Sequence, residues 1–351
     1  MNALVKGGFV VSKSDAGLFM KRTATCVVYL ITYVDDMLIA CAELSEVVAV
    51  KQYLGEVFEV TDLGEATHFL GNVIERSAGS VRVSNPVKVT ELLADYCIED
   101  PRKVLTPMDT SFVITMKPMV EGISGGSGKP LEEGNMYNEL IGSLTYMCNT
   151  TRPDISLAVG LLSRFRTKPT TAHWNAGMRV LAYLHGTEDM GFQYNGDHDL
   201  VGFVDSAYGD DKDTLHSTMG YAFLYNGAVV SWASKKQRQV ATSTVEAEYV
   251  AFHLAAQHAV WLQQLLHEMV DRKGPVIINC DSTGCISNLK NPITSSHTKH
   301  IDVRFHQSRE LVVDHMLVPK YISTKENVAD VFTKPLVNVK FSKFVSGLGM
   351  T

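Results

Sequence analysis

Val27-Val28-Tyr29-Leu30-Ile31-Thr32-Tyr33-Val34-Asp35-Asp36-Met37-Leu38-Ile39-Ala40-Cys41-Ala42 is the stretch on which the reading of this chain turns. Both flanks are rich in β-branched and aromatic residues, which suit a pleated strand, and two turn-prone aspartates stand between them. The pattern predicts a β-hairpin with Asp35-Asp36 as its two-residue tip. Such a hairpin fixes two carboxylates on a rigid perch where divalent cations can be held. Taken alone, a bare Asp-Asp between strands is more often a solvated turn.

Working outward, a helix is expected over Ser45–Phe58, with Val47, Val50, Leu54 and Val57 at helical spacing. Strands His68–Arg76 and Ser80–Ser84, joined by Ser77-Ala78-Gly79, precede a helix over Val87–Tyr96. Residues 117–135 hold five glycines and two prolines and read as a linker. Helices Met136–Asn149, Pro153–Arg166 and Ala172–Leu184 follow, closed by a polar turn at Asn195–Asp199.

From Leu200 the pattern changes. A strand is expected at Leu200–Ser206, then a hairpin of Met219–Tyr225 and Ala228–Ser234 around Asn226-Gly227. The longest helix spans Thr244–Arg272, with Leu254, Trp261, Leu262, Leu265 and Met269 along one side. Strand Val276–Cys280, helices Thr283–Leu289 and Val303–Val313, strand Leu317–Ile322 and a final helix beginning at Val328–Phe332 complete the chain. The order βββαβααβα is that of a mixed α/β domain.

With 45% hydrophobic and 20% charged residues among 351, the chain is far too apolar for a disordered tail and long enough for two or three cores. A net charge of −6 excludes a uniformly basic nucleic-acid binder. The excess acid lies before residue 200: residues 1–199 sum to −7 and 200–351 to +1. Six scattered cysteines without a CxxC fit a reducing compartment. The longest apolar run, Cys26 to Val34, is too short for a bilayer, and no signal-peptide pattern opens the chain. A soluble, intracellular protein with no membrane partner is expected.

Four acids stand at element ends in the second part. Asp205 follows an apolar strand, Glu248 lies in the first turns of the long helix, Asp281 ends a strand and Asp330 opens the last helix. Each alone is an ordinary cap or turn residue. If their strands are neighbours in one sheet they form a two-metal hydrolytic site. Glu246 competes with Glu248, since residues two apart cannot face the same side of a helix. Ala251, Phe252 and Ala255 favour Glu248 by placing it beside the packed face.

Basic clusters at Lys235-Lys236-Gln237-Arg238, and at Lys299-His300 with Arg304, commonly decorate solvated faces. Beside a carboxylate site they suit phosphate contacts. Cys280, Cys285, His297 and His300 imitate a zinc site poorly, because His-x2-His is off the usual spacing. Tyr249, Trp232 and Trp261 are expected in the core, and His253, His258 and His267 in packing or at the surface.

The phrase Tyr33-Val34-Asp35-Asp36 resembles the Y-x-D-D signature of reverse transcriptases, and the resemblance extends along the chain. Its markers are Ser12-Lys13-Ser14-Asp15, Asp62-Leu63-Gly64-Glu65, Phe69-Leu70-Gly71, Thr106-Pro107-Met108-Asp109 and Ile141-Gly142-Ser143-Leu144. Further along come Thr151-Arg152-Pro153-Asp154-Ile155, Ser243-Thr244 with Glu246-Ala247-Glu248-Tyr249, Thr298-Lys299-His300-Ile301-Asp302, and Ala329-Asp330 with Phe332-Thr333-Lys334-Pro335-Leu336. In that order they are similar to the C-terminal part of a copia-type LTR-retrotransposon Pol polyprotein.

The resemblance implies an α/β (α+β) chain: a partial polymerase palm over 1–84, a thumb- or connection-like helical region over 85–199, and an RNase H-like mixed-sheet domain over 200–351. It implies Asp35 and Asp36 as polymerase metal carboxylates, with Tyr33 and the primer-grip-like Phe69-Leu70-Gly71 against template-primer. A third polymerase aspartate, expected upstream in a phrase like L-D-V-K-T-A-F, has no counterpart in residues 1–34. Polymerisation by this chain alone is therefore not expected. The RNase H acids implied are again Asp205, Glu248, Asp281 and Asp330, using Mg²⁺, with Mn²⁺ as the alternative ion, to cleave RNA paired to DNA. Two departures stand out: Ala207 and Tyr208 replace an acid and a tryptophan, and Leu215-His216 precede Ser217 where a basic residue is usual.

The implied partners are RNA/DNA hybrid, template-primer nucleic acid and the rest of the Pol polyprotein. The implied locations are the cytoplasm, in virus-like particles, and the nucleus. Competing readings are a full RNA-directed DNA polymerase with its upstream part supplied, and a non-catalytic nucleic-acid-binding relic.

Overall fold

A computed structural model describes residues 2–98, 104–110, 129–131, 134–196, 198–291 and 306–351. Most of the expected linker 117–135, together with His297, Lys299, His300 and Arg304, lies outside the described residues. The chain divides into two compact units, residues 1–70 with 260–274, and residues 71–259 with 275–351.

The first unit contains α1 (Asn2–Lys6), β1 (Val10–Val11), β2 (Leu18–Arg22), β3 (Val27–Tyr33), β4 (Asp36–Ala40), α2 (Leu44–Val57) and β5 (His68–Phe69). Strands β1 to β4 form an antiparallel sheet in sequence order. Val28 and Leu30, two apart on β3, are fully buried with Leu4, Phe9, Phe19, Val50 and Leu54. That alternation fixes the register, because a one-residue slip would turn them to solvent. Pairing of Leu30 with Ile39 and of Tyr33 with Asp36 makes Val34-Asp35 the tip, one residue earlier than expected. The turn places Val34 at φ 53°, a strained conformation for a β-branched residue. The strand expected over His68–Arg76 is interrupted at Leu70 and Gly71, with φ of 50° and 77°.

In the second unit β6 (Asn72–Ser77), β7 (Ser80–Ser84) and β8 (Gly191–Tyr194) pair antiparallel. Between β7 and β8 run α3 (Pro86–Asp95), α4 (Gly134–Thr150), α5 (Ser156–Leu162) and α6 (Thr171–His185). Asn85 caps α3 by accepting the Lys88 amide at 3.1 Å, and Pro86 fills the first helical position, where no amide hydrogen is needed. The helix expected over Pro153–Arg166 is α5 flanked by 3₁₀ turns at Pro153–Ile155 and Ser163–Phe165.

A five-stranded sheet follows: β9 (Val201–Ala207), β10 (Thr218–Tyr225), β11 (Ala228–Lys236), β12 (Val276–Cys280) and β13 (Leu317–Tyr321), in spatial order β11-β10-β9-β12-β13. The three consecutive strands are antiparallel, while β12 runs parallel to β9 and β13 to β12. Intervening are α7 (Thr244–Val270), α8 (Thr283–Lys290) and α9 (His306–Val313). After β13 come a 3₁₀ turn at Val328–Phe332 and α10 (Asn338–Gly347). The chain is thus mixed α/β, and from Leu200 the order is as expected, except that Val328–Phe332 is a separate turn, ended before Pro335, and not the start of the last helix; α1, β1, β2 and β8 are not among the expected elements.

One core joins Leu140, Leu144 and Leu181 of α4 and α6 to Ala222 and Val229 of the sheet and Phe344 of α10. The buried stripe of α7 is mainly Ala247, Ala251, Phe252, Ala255, Ala256 and Ala259; of the larger residues expected, Leu262 is buried and Leu254, Leu265 and Met269 are half-buried. Trp261 is 38% exposed, its indole N–H donating to the Ser14 carbonyl at 3.0 Å, so it is not a core residue. Small side chains let a helix pack closely, and a search for large apolar residues overlooks them.

Candidate active site

The sheet's mixed direction builds the site. Parallel pairing places Cys280 of β12 beside Val204 of β9, so Asp281 and Asp205 follow at the carboxyl ends of adjacent strands. Ligand sites in α/β sheets gather at such ends. Asp330 arrives from the 3₁₀ turn, held there by Asn327. The buried Asn327 side chain donates to the Val204 carbonyl at 2.9 Å while its oxygen accepts the Ala329 amide at 3.3 Å. Gly220, paired with Asp205, makes room for the turn: a Cβ there would lie 2.5 Å from the Phe332 Cβ.

Oxygens of Asp205, Asp281 and Asp330 lie within 4.8 Å of one another, and Glu248, Cys280 and Asp281 meet the same limit. Asp205, Glu248 and Asp330 are buried; Asp281 is half-buried. Glu248 Oε1 accepts the Ser206 amide at 3.1 Å, and its Oε2 is buried with no hydrogen-bond partner. Glu246 instead accepts the Thr242 amide at 2.7 Å ahead of α7, a capping role. The structure thus brings together all four expected acids, with Glu248 and not Glu246 facing the others.

Burial and then the Asp205 charge push the Glu248 carboxyl up to about 9. Burial pushes Asp205 up to about 6 despite the neighbouring Lys334 ammonium. The four carboxylates are hard oxygen donors that suit Mg²⁺ or Mn²⁺, the Cys280 sulfur beside them accepts the Ser282 amide at 3.4 Å, and an orphaned buried carboxylate oxygen is the kind of group a cation satisfies. The donor set fits the ion expected. By contrast, Asp35 and Asp36 are exposed on their tip, and among the described residues no third acid joins them.

Other expected contacts separate. Tyr33 is 59% exposed, and Lys235 and Arg238 are exposed. Lys236 is engaged, its ammonium 2.7 Å from Asp211. Asp210 accepts the Thr218 amide and hydroxyl at 2.6 and 2.7 Å, so the acids after Tyr208 tie a loop to β10.

The family model described as "Reverse transcriptase (RNA-dependent DNA polymerase)" matches residues 1–110. A transposon Ty5-1 protein of Saccharomyces cerevisiae is 34% identical over 71% of this chain and 79% of its own length. The chain belongs to the copia-type retrotransposon Pol family. Retrovirus-related Pol polyproteins from transposon TNT 1-94 of Nicotiana tabacum and transposon RE1 of Arabidopsis thaliana are each 35% identical, over 97% and 100% of this chain. This copia-type chain spans about a quarter of their length, 26% and 23%. Among solved structures, the N-terminal RNase H domain of a Mycobacterium tuberculosis protein covers 42% of this chain and 96% of its own, at 12% identity and a TM-score of 0.30. No helix among the described residues is long and apolar enough to cross a membrane.

Sequence reasoning assigned no role to the groups that hold the acids. The Lys334 ammonium lies 2.8 Å from Asp330 and 3.3 Å from Asp205, and Lys340 also pairs with Asp330. Thr333 donates to Asp205, and Thr324 donates to Asp281 at 2.5 Å. Thr333 and Lys334 were signalled by the run Phe332-Thr333-Lys334-Pro335-Leu336, as a family marker without a role; Thr324 and Lys340 had no signal.

Proposed function

We propose that this chain cleaves RNA within RNA/DNA hybrids, using Asp205, Glu248, Asp281 and Asp330 to hold divalent cations. The observation that carries this reading is the meeting of four acids from four separate elements, one of them with a buried, unpartnered oxygen. Mg²⁺ ions bound there would supply Lewis-acid activation of water and stabilisation of the leaving 3′-oxygen. Asp281, on the rim and shared by both acid groupings, orients the two halves of the site. Asp205 and Asp330 close one side, and Glu248 closes the other from α7. Exposed Lys235 and Arg238 supply phosphate contacts, so binding weakens with salt.

Purified protein is expected to cut the RNA strand of a hybrid at millimolar Mg²⁺, and Asp281→Asn to abolish cutting. Absence of cleavage by the unmodified chain favours a binding relic and sinks the proposal.

The reverse-transcriptase match over residues 1–110 favours a second reading for the first unit, as part of a polymerase palm that engages template-primer through Tyr33, Phe69 and Leu70. Two carboxylates on one exposed tip do not clamp two ions, so polymerisation requires a further acid from elsewhere in a Pol polyprotein. Mg²⁺-dependent primer extension by this chain, lost in Asp35→Asn, would contradict that requirement.

A further inference from the structure

Lys334 stands between two of the four acids. Its Nζ lies 2.8 Å from Asp330 Oδ1, 3.3 Å from Asp205 Oδ2 and 3.4 Å from Asp205 Oδ1. The carboxyl groups it joins are 0% and 2% exposed, whereas the lysine is 35% exposed. The two acids are therefore fixed, and the ammonium sits on a flexible stem that reaches water. On the opposite side, a Glu248 oxygen lies within 4.8 Å of Asp281, and among the described residues no lysine pairs with either acid.

We propose that Lys334 is a built-in competitor for the divalent ion between Asp205 and Asp330, holding these acids together when no metal is bound and withdrawing to solvent when one enters. This rests on the metal-dependent reading above. The argument is one of space and charge. Mg²⁺ requires oxygens at about 2.0–2.1 Å, so an ion bound to the same oxygens would lie against the ammonium, and two like charges cannot share that position. Without either cation, three carboxylates within 4.8 Å would face one another with only Lys340, on the outer oxygen of Asp330, to offset their repulsion. The half of the site formed by Glu248 and Asp281 has no such competitor and fills first. Filling of the other half awaits displacement of Lys334, which sets the Mg²⁺ concentration that hydrolysis requires.

Calorimetric titration of Mg²⁺ into the full chain tests this without measuring cleavage. The unmodified protein should show a tighter and a weaker site. Lys334→Gln should tighten the weaker site about tenfold, equivalent to about 1.4 kcal/mol, while melting lower than the parent in EDTA. Lys334→Arg, which keeps the charge, should leave the affinity near the parent's. Lysine acylation read by mass spectrometry supplies a test on the unmodified chain: Lys334 should be slow to react in EDTA and faster in saturating Mg²⁺. Unchanged or weaker binding by folded Lys334→Gln, or Lys334 reactivity that does not rise with Mg²⁺, overturns the competitor role alone. Failure of the unmodified chain to bind Mg²⁺ at all overturns the metal-site reading and this inference with it.

Discussion

Two clusters of buried charge lie in the second unit, and they are built on opposite principles. Arg152 and Asp154 are each 1% exposed, and every charged atom has a partner. The guanidinium meets the carboxylate at 3.0 and 2.8 Å and the Thr187 carbonyl and hydroxyl at 2.8 and 2.6 Å, and Tyr183 donates to Asp154 at 2.7 Å. Around Asp205, Asp281, Asp330 and Glu248, four acids face one another with two lysines, Lys334 and Lys340, on one side only, and Glu248 Oε2 has no hydrogen-bond partner. A closed network contributes to a defined native state, whereas an unbalanced one keeps coordination capacity for a ligand.

The sharpest way to break the comparison is to remove one acid from each cluster. Asp154→Ala leaves the Arg152 charge buried and unpaired and should cost about 3–5 kcal/mol, read as a lower urea midpoint. Asp281→Asn should leave stability in EDTA unchanged or raised, because it relieves repulsion, while hybrid cleavage falls on the order of a thousandfold. Equal destabilisation by both variants would mean that the acid cluster is structural too.

A smaller effect tests how Asp330 reaches the site. Gly220→Ala puts a Cβ 2.5 Å from the Phe332 Cβ, backbone-anchored on both sides, and should cost about 1–3 kcal/mol. The 3₁₀ turn has to shift, so Mg²⁺ affinity should fall with stability. Lost stability with unchanged affinity would show that Asp330 does not contribute to the metal position.

Of these features, the element order from Leu200 and the four acids were legible in the chain, because strand alternation and turn chemistry are local, whereas the short β1, β2 and β8 were not. Leu200 onward read correctly as βββαβααβα for that reason. The alanine stripe of α7 was not legible, since Ala251, Ala255 and Ala259 carry little hydrophobic signal although they permit close packing. Neither was the role of Lys334 or Asn327, because what each contacts is set by strand order. The tip of the first hairpin was off by one residue, Tyr33 pairing with Asp36, because such a move shifts the pairing by two and leaves every side chain on the same face, so alternation cannot tell the two tips apart. The common core of α4, α6, α10 and the sheet joins segments that sequence patterning separates.

The acid cluster also predicts a pH dependence of opposite sign to the usual carboxylate case. Glu248 rises from 4.5 to about 9 in the folded chain and Asp205 from 3.8 to about 6. Folding therefore favours their protonated forms, so their contribution is fully present below the unfolded values and is lost as pH rises through the folded ones. In EDTA the melting temperature should fall by several degrees between about pH 5 and pH 9, a few degrees corresponding to about 1 kcal/mol in a domain of this size. Added Mg²⁺ selects the ionised form, so its stabilisation should grow over the same range. A flat melting profile in EDTA would mean that Glu248 is ionised and paired.

The least effect is expected at the exposed pair. Asp35 lies in a solvated turn and Asp36 is the exposed first residue of β4, so Asp35→Asn and Asp36→Asn should change stability by no more than about 0.5 kcal/mol. Hybrid cleavage should be unaltered, because all four acids assigned to it belong to the other compact unit. Val34→Gly at the same tip should be neutral or stabilising despite the added chain entropy, since it releases a β-branched residue from φ 53°. If Asp35→Asn instead lowers cleavage, the first unit contributes to hybrid binding. The two acidic sites would then differ in exposure but not in function.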